Sequence, residues 1–196
     1  MTEPRIASVD RSTSETEIKL TLNLDGSGRA SLATGIGFLD HMLTALAKHG
    51  RFDLELQVNG DLDVDDHHTT EDTALALGAA LDQALGERRG IERFAHAYAP
   101  LDEALARVVV DLSGRPFARV DIPFRREVIG DVATENLAHF FQSLAMTARM
   151  ALHVDVLEGE NDHHKAEAAF KALAIALRRA VARTGDDAIP STKGSL

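Results

Sequence analysis

No cysteine occurs among the 196 residues. That excludes a disulfide framework, a thiolate nucleophile and a zinc finger, so any metal must be held by histidine and carboxylates. Tryptophan is absent and there is one tyrosine, which removes the usual platforms for stacking bases. Positive charge is scarce: 21 Lys+Arg against 31 Asp+Glu give −10 at pH 7, so the average surface repels a nucleic-acid backbone. No apolar run approaches the ~18 residues a membrane span requires, and Met1-Thr2-Glu3-Pro4-Arg5 is not a basic segment followed by an apolar stretch. The expectation is an unprocessed chain in a reducing cytoplasm. Linkers rich in Pro, Gly or Ser and low-complexity segments are also missing. What is present, 44% hydrophobic and 27% charged residues, suffices for one sizeable core or two small packed halves and argues against a disordered or fibrous chain.

Apolar residues alternate at Ile18, Leu20, Leu22 and Leu24, which predicts a half-buried strand. It stops at Asp25-Gly26-Ser27-Gly28, and Arg29 to Ala33 is expected to return as its hairpin partner. Phe38, Leu39, Met42, Leu43 and Leu46 recur at helical spacing up to Lys48, with Gly50 at the C-terminal stop. Phe52, Leu54, Leu56 and Val58 alternate again, and an Ala/Leu-rich helix is expected from about Thr70 to Leu85, ended by Gly86. The same order then repeats. Ala106 to Leu112 and Ala118 to Ile122 alternate, Asn136 to about Leu152 reads as a helix, Val154 to Leu157 as a short strand, and His164 to Arg183 as a long helix. The turn Leu24-Asp25-Gly26 returns as Leu112-Ser113-Gly114. An internal duplication accounts for this, with halves at 1–91 and 92–196 packed into one α+β unit.

Histidine placement carries the chemistry. The first half holds His41 and then His67-His68-Thr69-Thr70-Glu71; the second holds His139 and then His163-His164-Lys165-Ala166-Glu167. The paired motifs stand 96 residues apart (163 − 67) and the single histidines 98 apart (139 − 41). Positions i and i+4 share one helix face, so His67 with Glu71, and His163 with Glu167, can chelate one ion each. The intervening His68 and His164 are rotated by roughly 100° and must serve a different ion. The simplest symmetric closure groups His67, Glu71, His139 and His164 around one metal, and His163, Glu167, His41 and His68 around the other. Without thiolates a Mn²⁺- or Fe²⁺-like ion suits these donors, with zinc, nickel and cobalt left open. Asp65, Asp66, Asp72 and Asp162 flank the motifs as candidate acceptors that orient ligand imidazoles. One His-His pair on a loop is ordinarily solvated; two copies in repeat register, each with Glu at +4, point to metal. His49, His96 and His153 have no repeat partner and default to surface or core histidines.

With these residues in view the chain resembles the imidazoleglycerol-phosphate dehydratases of histidine biosynthesis. The resemblance runs from about Arg5 to Leu196. It is carried by Arg11-Ser12-Thr13-Ser14-Glu15-Thr16, Gly37-Phe38-Leu39-Asp40-His41-Met42-Leu43, Asp65-Asp66-His67-His68-Thr69-Thr70-Glu71-Asp72, Gly90-Ile91-Glu92-Arg93-Phe94 and Pro100-Leu101-Asp102-Glu103-Ala104-Leu105. Further matches are Asp111-Leu112-Ser113-Gly114-Arg115-Pro116, His139-Phe140-Phe141, Asn161-Asp162-His163-His164-Lys165-Ala166-Glu167 and Pro190-Ser191-Thr192-Lys193-Gly194. Ala95 departs from the glycine more usual there. The resemblance implies duplicated four-stranded mixed sheets, each backed by two helices, two Mn²⁺ per active site on the eight ligands above, and a homo-24-mer with sites at subunit junctions. It also implies conversion of D-erythro-1-(imidazol-4-yl)glycerol 3-phosphate to 3-(imidazol-4-yl)-2-oxopropyl phosphate and water. Glu15 is then the proton-removing base, and Arg93, Arg115, Ser191 and Lys193 bind the substrate phosphate.

The hydrogen removed in that reaction does not neighbour a carbonyl, so enolate stabilisation is unavailable. Two ions on the substrate ring would acidify its N–H, and the resulting imidazolate can expel the adjacent hydroxyl. Two other classes stay open on the residues alone: a dinuclear phosphohydrolase using metal-bound hydroxide, and a non-catalytic metal-holding oligomer, which calls for Glu-x-x-His on long facing helices.

Overall fold

The computed structural model describes residues 3–194 and 196. Strands β1 (Ile6–Ser12), β2 (Thr16–Asn23) and β3 (Ala30–Ala33) lead into helix α1 (Gly37–Gly50), strand β4 (Asp53–Gly60) and helix α2 (His67–Leu85). The second half repeats this as β5 (Phe94–Leu101), β6 (Ala104–Asp111) and β7 (Phe117–Asp121), a small inserted hairpin of β8 (Val128–Ile129) and β9 (Val132–Ala133), then α3 (Thr134–Thr147), β10 (Ala151–Glu158) and α4 (Asp162–Ala180). The two sheets have the same topology. The first is ordered β1-β2-β4-β3 and the second β5-β6-β10-β7, each antiparallel except for its last pair, β3 with β4 and β7 with β10. The fold is therefore α+β, with two four-stranded mixed sheets and four helices among the described residues. The strands of one sheet all precede Ile91, and Ile91 itself bridges to Arg183.

The alternation at Ile18, Leu20, Leu22 and Leu24 buries that face of β2, and Ala106, Val108, Val110 and Leu112 do the same from β6. The helices join the halves. α1 packs along α4 and α2 along α3, while α2 covers β1 and β2 and α4 covers β5 and β6. Each helix pair thus takes one member from each half. One continuous core results, with Leu39, Met42, Phe140, Phe141 and Phe170 at its centre.

Several expectations are corrected. Arg29 to Ala33 does not pair with β2: β3 lies on the far edge of β4, parallel to it. The Asp25–Gly28 turn crosses the start of β4, where Asp53 Oδ1 accepts from Ser27 N at 2.8 Å and Arg29 N at 3.0 Å. That leaves β4, not β3, beside β2, and α1 supplies the crossover that parallel strands need. The helix expected to reach Leu152 ends at Thr147, because Ala151 onward joins β6 as β10. At the end of α1 the left-handed residue is Arg51 (φ 59°), not Gly50; a side chain on Gly50 would strike the Phe52 ring at 2.6 Å. Strands β1 and β5 escaped the periodicity reading because both are sheet edges with weakly apolar faces, as in Phe94-Ala-His-Ala-Tyr-Ala-Pro-Leu101.

Candidate metal centre

Both His-x-x-x-Glu motifs open a helix, and in each a side chain two residues ahead accepts from the backbone N–H of the first histidine. Asp65 Oδ1 accepts from His67 N at 2.8 Å, just before the N-cap Asp66 of α2, and Asn161 Oδ1, at the N-cap of α4, accepts from His163 N at 2.9 Å. These bonds hold the first turn, and with it the direction of the donors. Because α2 packs on α3, His139 meets the first motif: its Nε2 lies 3.0 Å from Glu71 Oε1, and His67 Nε2 lies 3.7 Å from Glu71 Oε2. Because α1 packs on α4, His41 meets the second: its Nε2 lies 3.1 Å from Glu167 Oε2, and His163 Nε2 is 3.3 Å from the same oxygen. In each set two imidazole nitrogens and a carboxylate oxygen lie within 4.8 Å of one another.

These donors suit a divalent ion. His67 Nδ1 lies 2.8 Å from Asn136 Oδ1, and Asn136 Nδ2 donates to Asp66 Oδ2 at 3.0 Å. Asn136 is thereby oriented with its oxygen toward the ring, so His67 Nδ1 donates to it and Nε2 is the nitrogen left facing Glu71. A ring nitrogen and a carboxylate turned toward each other form a site that a divalent cation fits.

His68 and His164 stand apart from both sets within the chain. His68 Nδ1 is 2.9 Å from Asp61 Oδ2, with Nε2 3.7 Å from Glu15 Oε1. His164 Nδ1 is 2.7 Å from Glu103 Oε2, with Nε2 3.9 Å from Asp102 Oδ2. In each half a carboxylate at the tip of the first hairpin faces the ring, Glu15 between β1 and β2 and Asp102 and Glu103 between β5 and β6, whereas Asp61 follows β4. The hydrogen bond to Asp61 raises the pKa of His68, and the hydrogen bond to Glu103 raises that of His164. The same bond to His164, with backbone N–H groups of Asn161 and Glu160, pulls Glu103 down to about 2.

The four flanking aspartates do not accept from ligand imidazoles. Asp65 accepts from the backbone N–H of His67; Asp66 acts one step removed, through Asn136. Asp72 is held by Arg11 and Thr16. Asp162 forms a buried pair with Lys165 Nζ at 2.7 Å and accepts from Arg125 N and Arg126 N. Neighbours in sequence are rotated away on a helix, so acceptors come from other elements: Asn136, Asp61 and Glu103. Position 96 residues on from Asp65 and Asp66 is the available signal, since it marks Asn161 and Asp162 as their counterparts. Lys171, whose Nζ lies 2.7 Å from Glu167 Oε1, is a further neighbour of the second set, and an i,i+4 Glu–Lys pair is legible from spacing.

The remaining candidates gather elsewhere. Arg93, in the left-handed region (φ 69°), places Nε 2.8 Å and Nη2 3.1 Å from the two oxygens of Asp111, and Nη1 2.8 Å from Pro190 O. The backbone of Leu112 bonds to Arg93 O, and Arg115 Nη1 reaches Ser113 O at 3.3 Å. Ser191 Oγ accepts from Lys193 N at 3.2 Å. Arg93, Arg115, Ser191 and Lys193 therefore share one end of the second sheet. That end meets the C-terminus of α4, where Arg93 N bonds to Ala180 O at 2.9 Å, so it lies about 25 Å along the helix from His163. His49 closes α1, with its carbonyl bonded to Arg178 Nη1; His96 sits beside Tyr98, and His153 beside Phe117.

Fold and donor sets define a duplicated α+β protein in which two repeat-related His₂Glu groups are assembled across its halves. The chain belongs to the imidazoleglycerol-phosphate dehydratase family, whose model matches residues 34–177. It is 57% identical to an imidazoleglycerol-phosphate dehydratase of Methanothermobacter thermautotrophicus over 95% of each chain. It is 58% identical to one of Roseiflexus over 98% of each. A similarly named protein of Phytophthora nicotianae, 56% identical over 98% of this chain, is longer, and the match spans 42% of it. Among solved structures, the Pyrococcus furiosus dehydratase in complex with (S)-C348 superposes with a TM-score of 0.84 at 38% identity, covering 96% of this chain and 100% of that one. The Staphylococcus aureus enzyme gives 0.83 at 35% identity over 91% and 99%. No helix among the described residues is long and apolar enough to cross a membrane.

Proposed function

We propose that the chain dehydrates D-erythro-1-(imidazol-4-yl)glycerol 3-phosphate to 3-(imidazol-4-yl)-2-oxopropyl phosphate in histidine biosynthesis, using two manganese ions per site. The observation that carries the metal part of this reading is the pair of cross-half donor sets, His67/Glu71/His139 and His41/His163/Glu167, each within 4.8 Å. His68 and His164 complete the ligand groups from other copies of the chain. When bound, the ions supply Lewis acidity toward the nitrogens of the substrate ring.

The protein's own groups do the rest. Glu15, at the tip of the β1–β2 turn with its carboxylate half exposed beside His68, removes the carbon-bound proton. Arg93, Arg115, Ser191 and Lys193 bind the phosphate; among the described residues Asp111 and Pro190 O take three of the five N–H groups of Arg93 and leave two for it. These groups lie too far from the donor sets of their own chain for one small substrate to touch both. This separation supports sites built between subunits of a homo-oligomer, with 24 copies as the expected number.

Incubation with the imidazole substrate tests the reading. A ketone product with the phosphate ester intact supports dehydration; free inorganic phosphate would instead mark a hydrolase, and neither product a metal-holding protein. Elemental analysis with native mass reports the ion, its stoichiometry and the assembly. Among the described residues no long facing helices carry the Glu-x-x-His of a storage bundle: both motifs are His-x-x-x-Glu on first turns.

A further inference from the structure

The two donor sets are copies of one ancestral set, yet they differ one helical turn past the carboxylate. Glu71 of α2 is followed four residues on by Leu75, and Glu167 of α4 by Lys171. Both positions are half-buried on equivalent faces. The consequence for the carboxylates is unequal. Glu71 turns Oε1 toward His139 at 3.0 Å and Oε2 toward His67 at 3.7 Å, so both oxygens belong to its set. Glu167 turns only Oε2 toward His41 and His163, at 3.1 and 3.3 Å, because Oε1 is held by Lys171 Nζ at 2.7 Å. Among the described residues Glu71 pairs with imidazoles alone.

We propose that the two centres are inequivalent toward divalent cations: Lys171 withdraws one oxygen of Glu167 and adds a positive charge beside it, so the His41/His163/Glu167 set binds more weakly and fills second. This rests on the metal reading above. The physical cause is direct. A fixed ammonium a few ångströms from a divalent ion weakens binding about tenfold even at water-like dielectric, and more where solvent is partly excluded. The loss of an oxygen that could coordinate or relax acts in the same direction. Duplication alone would have left two equal centres; the substitution at one position breaks that equality, and allows a chain to hold one ion firmly while the second exchanges.

The test is Mn²⁺ titration of the full chain in its native assembly after stripping with a chelator, followed by calorimetry and by electron paramagnetic resonance of the free ion. Two classes are expected, one site of each per chain, separated by about tenfold or more. Lys171→Leu tightens the weaker class about tenfold and leaves the tighter one in place; Leu75→Lys weakens the tighter class. A single class of two equal sites overturns the inequivalence while leaving the metal reading intact. So does a Lys171→Leu variant with both classes unmoved. No Mn²⁺ binding at all overturns the metal reading and this inference with it. Should Lys171→Leu fail to assemble, the unmodified chain and Leu75→Lys still decide the matter.

Discussion

His67 shows what one side chain must satisfy here: Nδ1 donates to Asn136, Nε2 faces Glu71, and the ring stacks on His139 with centroids 5.3 Å apart. On the proposed metal reading, removing a donor removes an ion. Glu71→Ala or His68→Ala is expected to lose metal and activity together, read by elemental analysis beside turnover. Asn136→Ala keeps every donor but frees the ring, and metal affinity should fall about 10–100-fold. Glu15→Gln should retain metal and lose about 10²–10⁴-fold in turnover; normal turnover would place the base elsewhere. If His164 ligates metal as proposed, protons compete with the ion there. The folded pKa of His164 is raised from 6.5 by the bond to Glu103, so that pairing stabilises the metal-free protein below 6.5 and fades as pH climbs through the raised value. Metal requires the neutral ring, so Mn²⁺ affinity should run the opposite way, rising over the same interval. Melting the protein with and without Mn²⁺ from about pH 5 to 9 checks both slopes. At this level the ligand types were readable from spacing, whereas Asn136, Asp61 and Glu103 were not, because each reaches its histidine from a separate element.

Between elements, the approach of α2 to α3 brings His139 to Glu71. Gly78 permits it: a Cβ there would meet Thr147 Oγ1 at 2.1 Å and the backbone of Leu144 and Ala148 at 2.7 and 2.8 Å. Gly78→Ala should therefore cost about 1–3 kcal/mol in urea unfolding, and should weaken metal binding at the His67/Glu71/His139 set more than at the other. The start of α4 is held differently, by the Asp162–Lys165 pair, in which both side chains are 1% exposed. Lys165 also donates to Pro123 O at 2.8 Å. Lys165→Met strands a buried carboxylate, and a loss of about 3–5 kcal/mol is expected. Strands β2 and β6 and all four helices were legible because their apolar periods are clean. The edge strands and the partner of β3 were not, since pairing across a sheet is settled by which neighbour covers which edge.

Across the whole molecule, neither half owns a donor set. His41 waits on α4 and His139 on α2, so residues 1–91 or 92–196 expressed alone should show no tight Mn²⁺ site in a titration. The distance between the donor sets and the Arg93 end leads to a second expectation. Glu71→Ala and Arg93→Ala chains, each inactive alone, should regain measurable activity when dissociated and reassembled together, because a mixed assembly contains intact junctions. Silence after verified mixing would place both functions on one chain. Phosphate ligands should also protect Ser191–Lys193 from limited proteolysis.

The residue order was enough to establish the duplication, the α+β class and the kinds of donor, because helical and strand periods and a 96-residue offset are properties of the chain itself. Which histidine meets which carboxylate followed from helices packing across the repeat, α1 on α4 and α2 on α3, and this depends on burying four apolar stripes at once. The different surroundings of Glu71 and Glu167 belong to that second kind of fact. Leu75 and Lys171 occupy one position in an alignment of the halves, and the Glu167–Lys171 spacing is legible there; that the lysine takes Oε1 and leaves Oε2 to His41 and His163 is decided by the folded contacts.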